Sequence, residues 1–398
     1  MEPATSRYRW AMLGLVWLLY VVFGVYTRSL APLVTPIIKD LNISFVEMGF
    51  ILGSWQLTYI VFATIDGAII DRWGLRKSLL IGVIIMGLSE VLRYFAGDFV
   101  TLLLCVALIG IGGPMISIGC PKAIALWFDE KERGLATGIC MTAPSIGGLV
   151  ALSTANSIIM PLTGDSWRLA FVVYGAAAFV AAALWWWRAK DTGEADTKGE
   201  TGILRIFSTL ARLRIVQLIL LMGLFSFTIS HGFDSWLPQI LEARGISPAA
   251  AGFTASIPLL VGIPSVFIIP RITPAPARNY VIALMSALVA LALLLVATGS
   301  GIVLTLALAL FGLSATPIMP LLILILMQSP EVGSKYLGSA AGMFFCVAEV
   351  GGFAGPLVLG MIRNMTGDFL AGTLLVAVLS VLMAVMGLYL KRKPARQD

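Results

Sequence analysis

Twelve long apolar stretches, separated by short polar connections, dominate this sequence. A helix of about 20 apolar residues crosses the hydrocarbon core of a bilayer and satisfies its own backbone N–H and C=O groups. Charged residues make up only 12% of the chain, about half of what a soluble domain carries. We therefore predict an all-α membrane protein with twelve transmembrane helices. The expected spans are residues 11–35, 45–68, 78–96, 100–126, 135–160, 168–188, 214–240, 250–270, 279–299, 301–326, 337–362 and 369–390.

The longest polar stretch divides these spans into two groups of six. We predict an N-terminal six-helix bundle at 1–188, a cytoplasmic linker at 189–213 and a C-terminal six-helix bundle at 214–398. Short glycine patterns recur in both halves at a nearly constant spacing, for example Gly147-Gly148 and Gly351-Gly352. Internal repeats of this kind place one site at a pseudo-symmetric interface. The two bundles are therefore expected to be pseudo-symmetric.

Basic residues mark one side of the membrane. Most of the 27 Lys and Arg residues fall in segments on the same side as the N-terminus, including clusters at 72–77, 188–214 and 391–396. Loops rich in Lys and Arg stay in the cytoplasm, so both termini are predicted to be cytoplasmic. The net charge of +6 follows from this topology and does not indicate a nucleic-acid partner. We expect a multi-pass protein in a lipid bilayer, the inner membrane of a bacterial cell.

The sequence contains no pattern typical of an enzyme or of a cofactor site. It lacks a nucleotide-binding glycine loop, and no Cys/His group has metal-ligand spacing. The four cysteines fall inside apolar stretches, where we expect them to pack as small side chains; they are Cys105, Cys120, Cys140 and Cys346. The chain is therefore not expected to be an enzyme, to use ATP or to hold a cofactor or metal.

Residues 67–77 read GAIIDRWGLRK and lie between the second and third spans. This segment resembles the loop signature of the major facilitator superfamily, G-x-x-x-D-R-x-G-x-R-K, at every defining position. The matching residues are Gly67, Asp71, Arg72, Gly74, Arg76 and Lys77. The resemblance implies the major facilitator fold and a monomeric secondary transporter, in which two six-helix halves alternate access to a central site. It also implies that this loop is a conformational latch and not a substrate site.

Shorter segments are similar to two branches of that superfamily. The stretch 26–32, with Arg28 shortly before Pro32, resembles the organic anion:cation symporters. The stretches 121–128 and 236–238 resemble the cyanate and nitrate/nitrite permeases. Many proton-driven drug antiporters carry an arginine where this chain has Val106, so the resemblance does not favour a multidrug exporter.

Ionisable residues at membrane depth are costly and usually face the interior of the bundle. Arg28 lies in the first span, and the repeat aligns it with His231, the single histidine of the chain. In the family that this chain resembles, the first, fourth, seventh and tenth spans line the central cavity, so Arg28 and His231 are expected to face each other there. A guanidinium binds a carboxylate through two parallel hydrogen bonds. The predicted substrate-binding residues are Arg28, His231, Tyr26, Trp55, Gln56, Tyr59 and Lys122.

Proton coupling needs a group that can gain and lose a proton inside the membrane. Glu349 lies near the middle of the eleventh span, and the repeat aligns it with Ser145, so this carboxyl group is not part of the shared scaffold. We predict that Glu349, His231 and Asp234 carry the proton. Glu90 and Arg93, three residues apart on one span, are expected to pair with each other.

The sequence thus predicts a secondary transporter that couples a small organic or inorganic anion to protons. Two alternatives remain open. One is a carrier of an organic cation or zwitterion such as choline, held by cation–π contacts. The other is a receptor on the same fold that binds a ligand without transporting it.

Overall fold

The computed structural model describes residues 3–190, 210–329, 332 and 337–390. Within them, twelve helical spans are long and apolar enough to cross a membrane, which confirms the predicted number. Much of the predicted linker, at 191–209, lies outside the described residues. The spans are α1 Tyr8–Leu41, α2 Phe45–Trp73, α3 Leu75–Phe95, α4 Phe99–Trp127, α5 Glu130–Leu162, α6 Trp167–Arg188, α7 Arg214–Glu242, α8 Pro248–Ile272, α9 Ala275–Thr298, α10 Ile302–Met327, α11 Ala340–Thr366 and α12 Leu370–Tyr389.

The first span is longer than the sequence indicated because its helix is interrupted and then continues. Regular α-helix ends at Ser29, a short 3₁₀ segment follows at Ala31–Leu33, and α-helix resumes at Val34–Leu41. Pro32 lies inside the interruption and has no N–H to donate to the preceding turn. The break directly follows Arg28, so the backbone around that side chain is not a uniform helix.

Reciprocal polar caps, in which a side chain and a backbone N–H bond each way, begin two of the spans. At α2, the backbone N–H of Ser44 donates to Glu47 at 2.7 Å, and that of Glu47 donates to the Ser44 hydroxyl at 3.2 Å. This reciprocal arrangement satisfies donors that a helix start leaves unpaired. At α4, the backbone N–H of Thr101 donates to Asp98 at 2.8 Å and holds the pKa of that carboxyl below its usual value.

The helices form two compact units. The first comprises Met1–Gly199 with Leu237–Ser256, and the second comprises Glu200–Trp236 with Ile257–Asp398. The last turns of α7 and the start of α8 thus belong to the first unit. There the Gln239 amide donates to the carbonyl of Ala31 at 2.7 Å. The bundle boundaries expected from the sequence, at 188 and 214, stay a prediction.

Glycines bring helix backbones into direct contact inside each unit. A Cβ at Gly147 of α5 would collide with the Val21 carbonyl of α1, and one at Gly351 of α11 would collide with the Leu224 carbonyl of α7. Small residues permit this approach where no hydrophobic effect drives helices together. These are the glycines that recur in the sequence, so the repeat corresponds to the same backbone contact in both units.

Two of the four cysteines do more than pack as separate small residues. The structure joins Cys120 of α4 to Cys140 of α5 through their sulfur atoms. Cys105 and Cys346 are free thiols, each half-buried. We expected Cys120 and Cys140 to pack as separate small side chains, and this was wrong. They are 20 positions apart in the sequence, but α4 and α5 bring them together.

Candidate functional site

Arg28 is half-buried on α1, between two residues that fix the helix to its neighbours. The hydroxyl of Tyr26, which is 2% exposed, donates to the Tyr174 carbonyl of α6 at 3.0 Å. Ser29 donates to the Glu90 carboxylate of α3 at 3.3 Å. The backbone that carries Arg28 is therefore held by hydrogen bonds on both sides of it.

The expected pairing of Glu90 with Arg93 is confirmed. Their charged atoms lie 3.0 Å apart, and both side chains are completely buried. The Arg93 guanidinium also donates to Ser29 at 3.4 Å and lies over the ring of Phe171, 4.6 Å from its centroid. Since Ser29 directly follows Arg28, this buried ion pair supports α1 next to the candidate site.

Three aromatic rings form a continuous row in the first unit. Phe23 and Trp55 meet edge to face with centroids 6.1 Å apart, and Trp55 and Tyr59 do the same at 6.1 Å. The Tyr59 hydroxyl lies 2.7 Å from that of Ser117 on α4. The structure thus brings the predicted Trp55 and Tyr59 together and adds Phe23, which the sequence reasoning missed. Phe23 lies three residues before Tyr26, so both side chains were expected on the same face of the helix, and this spacing could have identified Phe23.

Gln56, next to Trp55, is buried at 1% exposure. Lys122 pairs with Asp71 of the 67–77 loop, so the structure connects it to the latch motif. Its predicted role in substrate binding stays a prediction.

The 67–77 segment, expected from the sequence to lie between two spans, is mostly helical: residues 67–73 end α2, residues 75–77 begin α3, and Gly74 alone makes the turn. The name 67–77 loop is kept for this segment. Gly74 ends α2 with a φ of 80°, a left-handed conformation that favours glycine. Arg76 donates to the Trp186 carbonyl at 2.6 Å and stacks on the ring of that residue. Arg72 and Lys77 are exposed. The loop is therefore attached to α4 through Lys122 and to α6 through Trp186.

In the second unit, His231 and Asp234 lie one turn apart on α7, and both are half-buried. The ring of Phe227 lies 5.2 Å from that of His231. Glu349 of α11 is 7% exposed, and its Oε2 has no hydrogen-bond partner among the described residues. The predicted pairing of Arg28 with His231 joins the two units and stays a prediction.

A small, mostly apolar cavity with four serines in its wall was not anticipated. Ser226 and Ser230 of α7, Ser286 of α9 and Ser380 of α12 contribute to its wall. Ser286 is completely buried, and its hydroxyl has no partner in the described part of the chain. Because the serines come from three separate spans, no local sequence pattern groups them. Among the described residues, no cluster of His, Cys, Asp and Glu could hold a metal ion.

The sequence profile of the Major Facilitator Superfamily matches residues 16–356. A hexuronate transporter of Bacillus subtilis (strain 168) is 26% identical over 384 residues, covering 90% of this chain and 89% of the relative. A probable sulfoacetate transporter, SauU, of Cupriavidus necator is 24% identical over 390 residues, covering 91% and 89%. The xylose transporter XylE of E. coli, in its inward open conformation, is similar in structure. Its TM-score is 0.80 at 15% identity, covering 98% of each chain.

Proposed function

Since the chain belongs to the Major Facilitator Superfamily and is a multi-pass membrane transporter, not an enzyme, we propose that it carries a small organic anion across the membrane by alternating access. The relatives named for hexuronate and sulfoacetate support this choice. Both compounds are anions that carry a carboxylate group. The chain would then need a cation at membrane depth that recognises a carboxylate.

Arg28 is the residue that carries the proposal. It lies inside a membrane span, half-buried, on a stretch of α1 fixed through Tyr26 and Ser29. A guanidinium can donate two parallel hydrogen bonds to one carboxylate, which an ammonium cannot. A fixed backbone holds this fork in one orientation and lowers the entropic cost of binding. Arg28 is proposed to bind the carboxylate of the substrate.

Glu349 is proposed to couple transport to protons. A buried carboxylate without a hydrogen-bonding or charged partner is strongly disfavoured, so this side chain is expected to be neutral when packed as observed. It would ionise when water reaches it. A group that changes protonation with its exposure can link proton movement to the transport cycle. His231 and Asp234 are proposed as further proton carriers on α7.

Uptake into proteoliposomes tests the substrate class. Wild-type protein should accumulate a hexuronate or sulfoacetate and should not accumulate choline. Arg28→Ala should raise the half-saturation concentration roughly 10- to 100-fold, as expected when a charged hydrogen bond is lost, and Arg28→Lys should recover only part of it. Arg271→Gln, which changes an exposed arginine at the end of α8, serves as the matched control. Transport of choline alone would contradict the proposal.

The coupling proposal is tested separately with a pH-sensitive dye inside the liposomes. Substrate addition should move protons with wild type. Glu349→Gln should abolish proton movement and accumulation but keep exchange of labelled for unlabelled substrate, because a permanently neutral side chain still permits the conformational change. Glu130→Gln, at an exposed position, should leave both properties unchanged. Normal proton movement by Glu349→Gln would exclude this residue as the coupling group.

The aromatic row of Phe23, Trp55 and Tyr59 supports the alternative of an organic cation. Aromatic faces attract quaternary ammonium groups. Trp55→Leu discriminates the two: loss of choline binding would support the cation carrier, whereas an unchanged affinity for the anion supports the main proposal. Ligand binding without any flux would instead indicate a receptor.

A further inference from the structure

Asp66 of α2 is an isolated buried carboxyl group. Its side chain is 0% exposed, and neither carboxyl oxygen accepts a hydrogen bond from a side chain of the described residues. It immediately precedes Gly67, the first residue of the latch motif. The substrate site and the proposed coupling group Glu349 do not involve it.

The helices around Asp66 are tightly packed. α2 packs against α3 and α4, and the backbone N–H of Met115 on α4 approaches the Asp66 carboxyl group. A Cβ at Gly112 of α4 would collide with the carbonyl of Gly82 on α3, so these two backbones touch. The hydroxyl of Ser78, buried on α3, already donates to the Gly74 carbonyl at 2.8 Å. The Asp66 carboxyl group is thus closed off from the solvent surface, and the Ser78 hydroxyl already has an acceptor.

The charged groups on the packed elements have other partners or lie at the surface. On α4, Lys122 pairs with Asp71. On α3, Arg76 contacts Trp186, and Lys77 is exposed. The remaining charged groups on these elements are Arg9, Arg28, Lys39 and Asp40 of α1, Glu47 and Arg72 of α2, and Glu90 and Arg93 of α3, and α4 also carries the half-buried thiol of Cys105. Arg9 pairs with Glu132, Asp40 pairs with Arg168, Glu47 caps its own helix, the α3 residues pair with each other, Arg28 is half-buried, and Lys39 and Arg72 are exposed. Among the described residues, none of these cations hydrogen-bonds to the Asp66 carboxyl group.

An isolated carboxylate in such a place is unfavourable by several kcal/mol or more. The side chain is neutral for as long as α2, α3 and α4 stay packed. It can ionise only if these helices separate enough to admit water or a cation. Asp66 lies seven residues before the end of α2 at Trp73, about 10 Å along the helix axis, so a small movement of the loop end would expose it.

We propose that Asp66 is a proton-binding site that controls the position of the 67–77 loop. Its protonated form favours the packed arrangement of α2, α3 and α4, and loss of the proton to water favours separation. This deepens the proposed transport cycle by adding a second proton, but it does not depend on the identity of the substrate or on Glu349.

Infrared spectroscopy of the purified full-length protein in lipid tests the protonation. The carbonyl stretch of protonated carboxylic acids should be present in wild type and should lose one component in Asp66→Asn, while the component from Glu349 remains. Asp165→Asn, an exposed position with a left-handed φ that suits asparagine, should keep both components. If Asp66→Asn leaves the protonated-acid band unchanged, Asp66 is ionised and the proposal is wrong.

A labelling experiment tests the control of the loop. Ser78→Cys introduces a thiol at a buried position on α3, in a background where Cys105 and Cys346 are replaced by alanine. The rate of reaction with a maleimide is divided at each pH by the rate for the same variant unfolded in detergent, so that ionisation of the thiol itself cancels. This ratio should rise several-fold as the buffer is made alkaline, and Asp66→Asn should abolish that rise. Asp165→Asn should keep it. An identical pH dependence in Asp66→Asn would overturn the proposal.

The two proposals can fail independently. The labelling experiment needs no substrate. If the wild type transports no anion but Asp66→Asn still loses the pH dependence of labelling, only the proposed function is refuted. Asparagine has nearly the shape of protonated aspartic acid, so this variant is expected to fold. If it does not, Asp66→Glu must retain the pH dependence of labelling, and a Glu variant without it would also count against the proposal.

Discussion

Glu90 and Arg93 form an ion pair of 3.0 Å in which both side chains are completely buried. The pair lies within α3 and contacts α1 through Ser29. Burying two charges is favourable only when the geometry is good and further contacts help to compensate them. Here the ring of Phe171 covers the guanidinium as an additional partner.

Replacing one partner of this ion pair should destabilise the protein more than replacing both. Glu90→Leu or Arg93→Met alone should destabilise the protein by about 3–5 kcal/mol, because each leaves an uncompensated buried charge. The double variant should be more stable than either single variant. Thermal unfolding in detergent checks this, and Asp40→Asn, at the half-exposed pair with Arg168, should cost less than about 1 kcal/mol. A double variant no better than the singles would contradict the argument.

Alanine at the close-packed glycines should prevent proper folding. Gly147→Ala and Gly351→Ala each place a methyl group against a backbone carbonyl, which cannot move away as a side chain can. Gly14→Ala is the matched control, since a Cβ there meets nothing within 4 Å and alanine favours a helix by about 1 kcal/mol. Size-exclusion profiles of fluorescent fusions measure the folded fraction. Normal profiles for both packed variants would show that the helices can separate.

The Asp71–Lys122 ion pair predicts how two variants should affect transport. If Lys122 serves the latch, Asp71→Asn and Lys122→Ala should both lower the maximal rate and leave the half-saturation concentration within about twofold. The double variant should be no worse than either single variant, because the two residues act together. Initial rates across substrate concentrations give both values. A raised half-saturation concentration in Lys122→Ala alone would instead restore the predicted role in substrate binding.

Tyr26→Phe should weaken the hold on α1 near Arg28. It removes the hydroxyl that donates to the Tyr174 carbonyl at 3.0 Å, a loss of about 1 kcal/mol, while that carbonyl keeps its backbone hydrogen bond within α6. Substrate affinity should fall, since Arg28 is then less well oriented. Ligand-dependent thermal shifts measure stability and affinity in one titration. Tyr20→Phe, also on α1, is the control, and a similar affinity loss there would point to a general effect on the helix.

The predictions that the structure confirms depend mostly on patterns within short stretches of sequence. The twelve spans follow from runs of apolar residues, the Gly74 turn from its loop motif, and the Glu90–Arg93 pair from a spacing of three on one helix. Contacts between distant segments were beyond such patterns. Lys122 meets Asp71 because two separate helices bring them together, and the isolation of Asp66 depends on what three helices place around it. Roles that need both units, above all Arg28 with His231, stay predictions.

The glycine contacts also constrain how the two halves can diverge. A clash with a side chain can be relieved by a second substitution, but a clash with a backbone carbonyl has no such remedy. Gly147 and Gly351 should therefore be the same residue in both halves, whatever changes around them. Ser145 and Glu349, two residues before them, lie outside this constraint. One half can thus acquire a carboxyl group that its counterpart lacks while both retain the same helix packing.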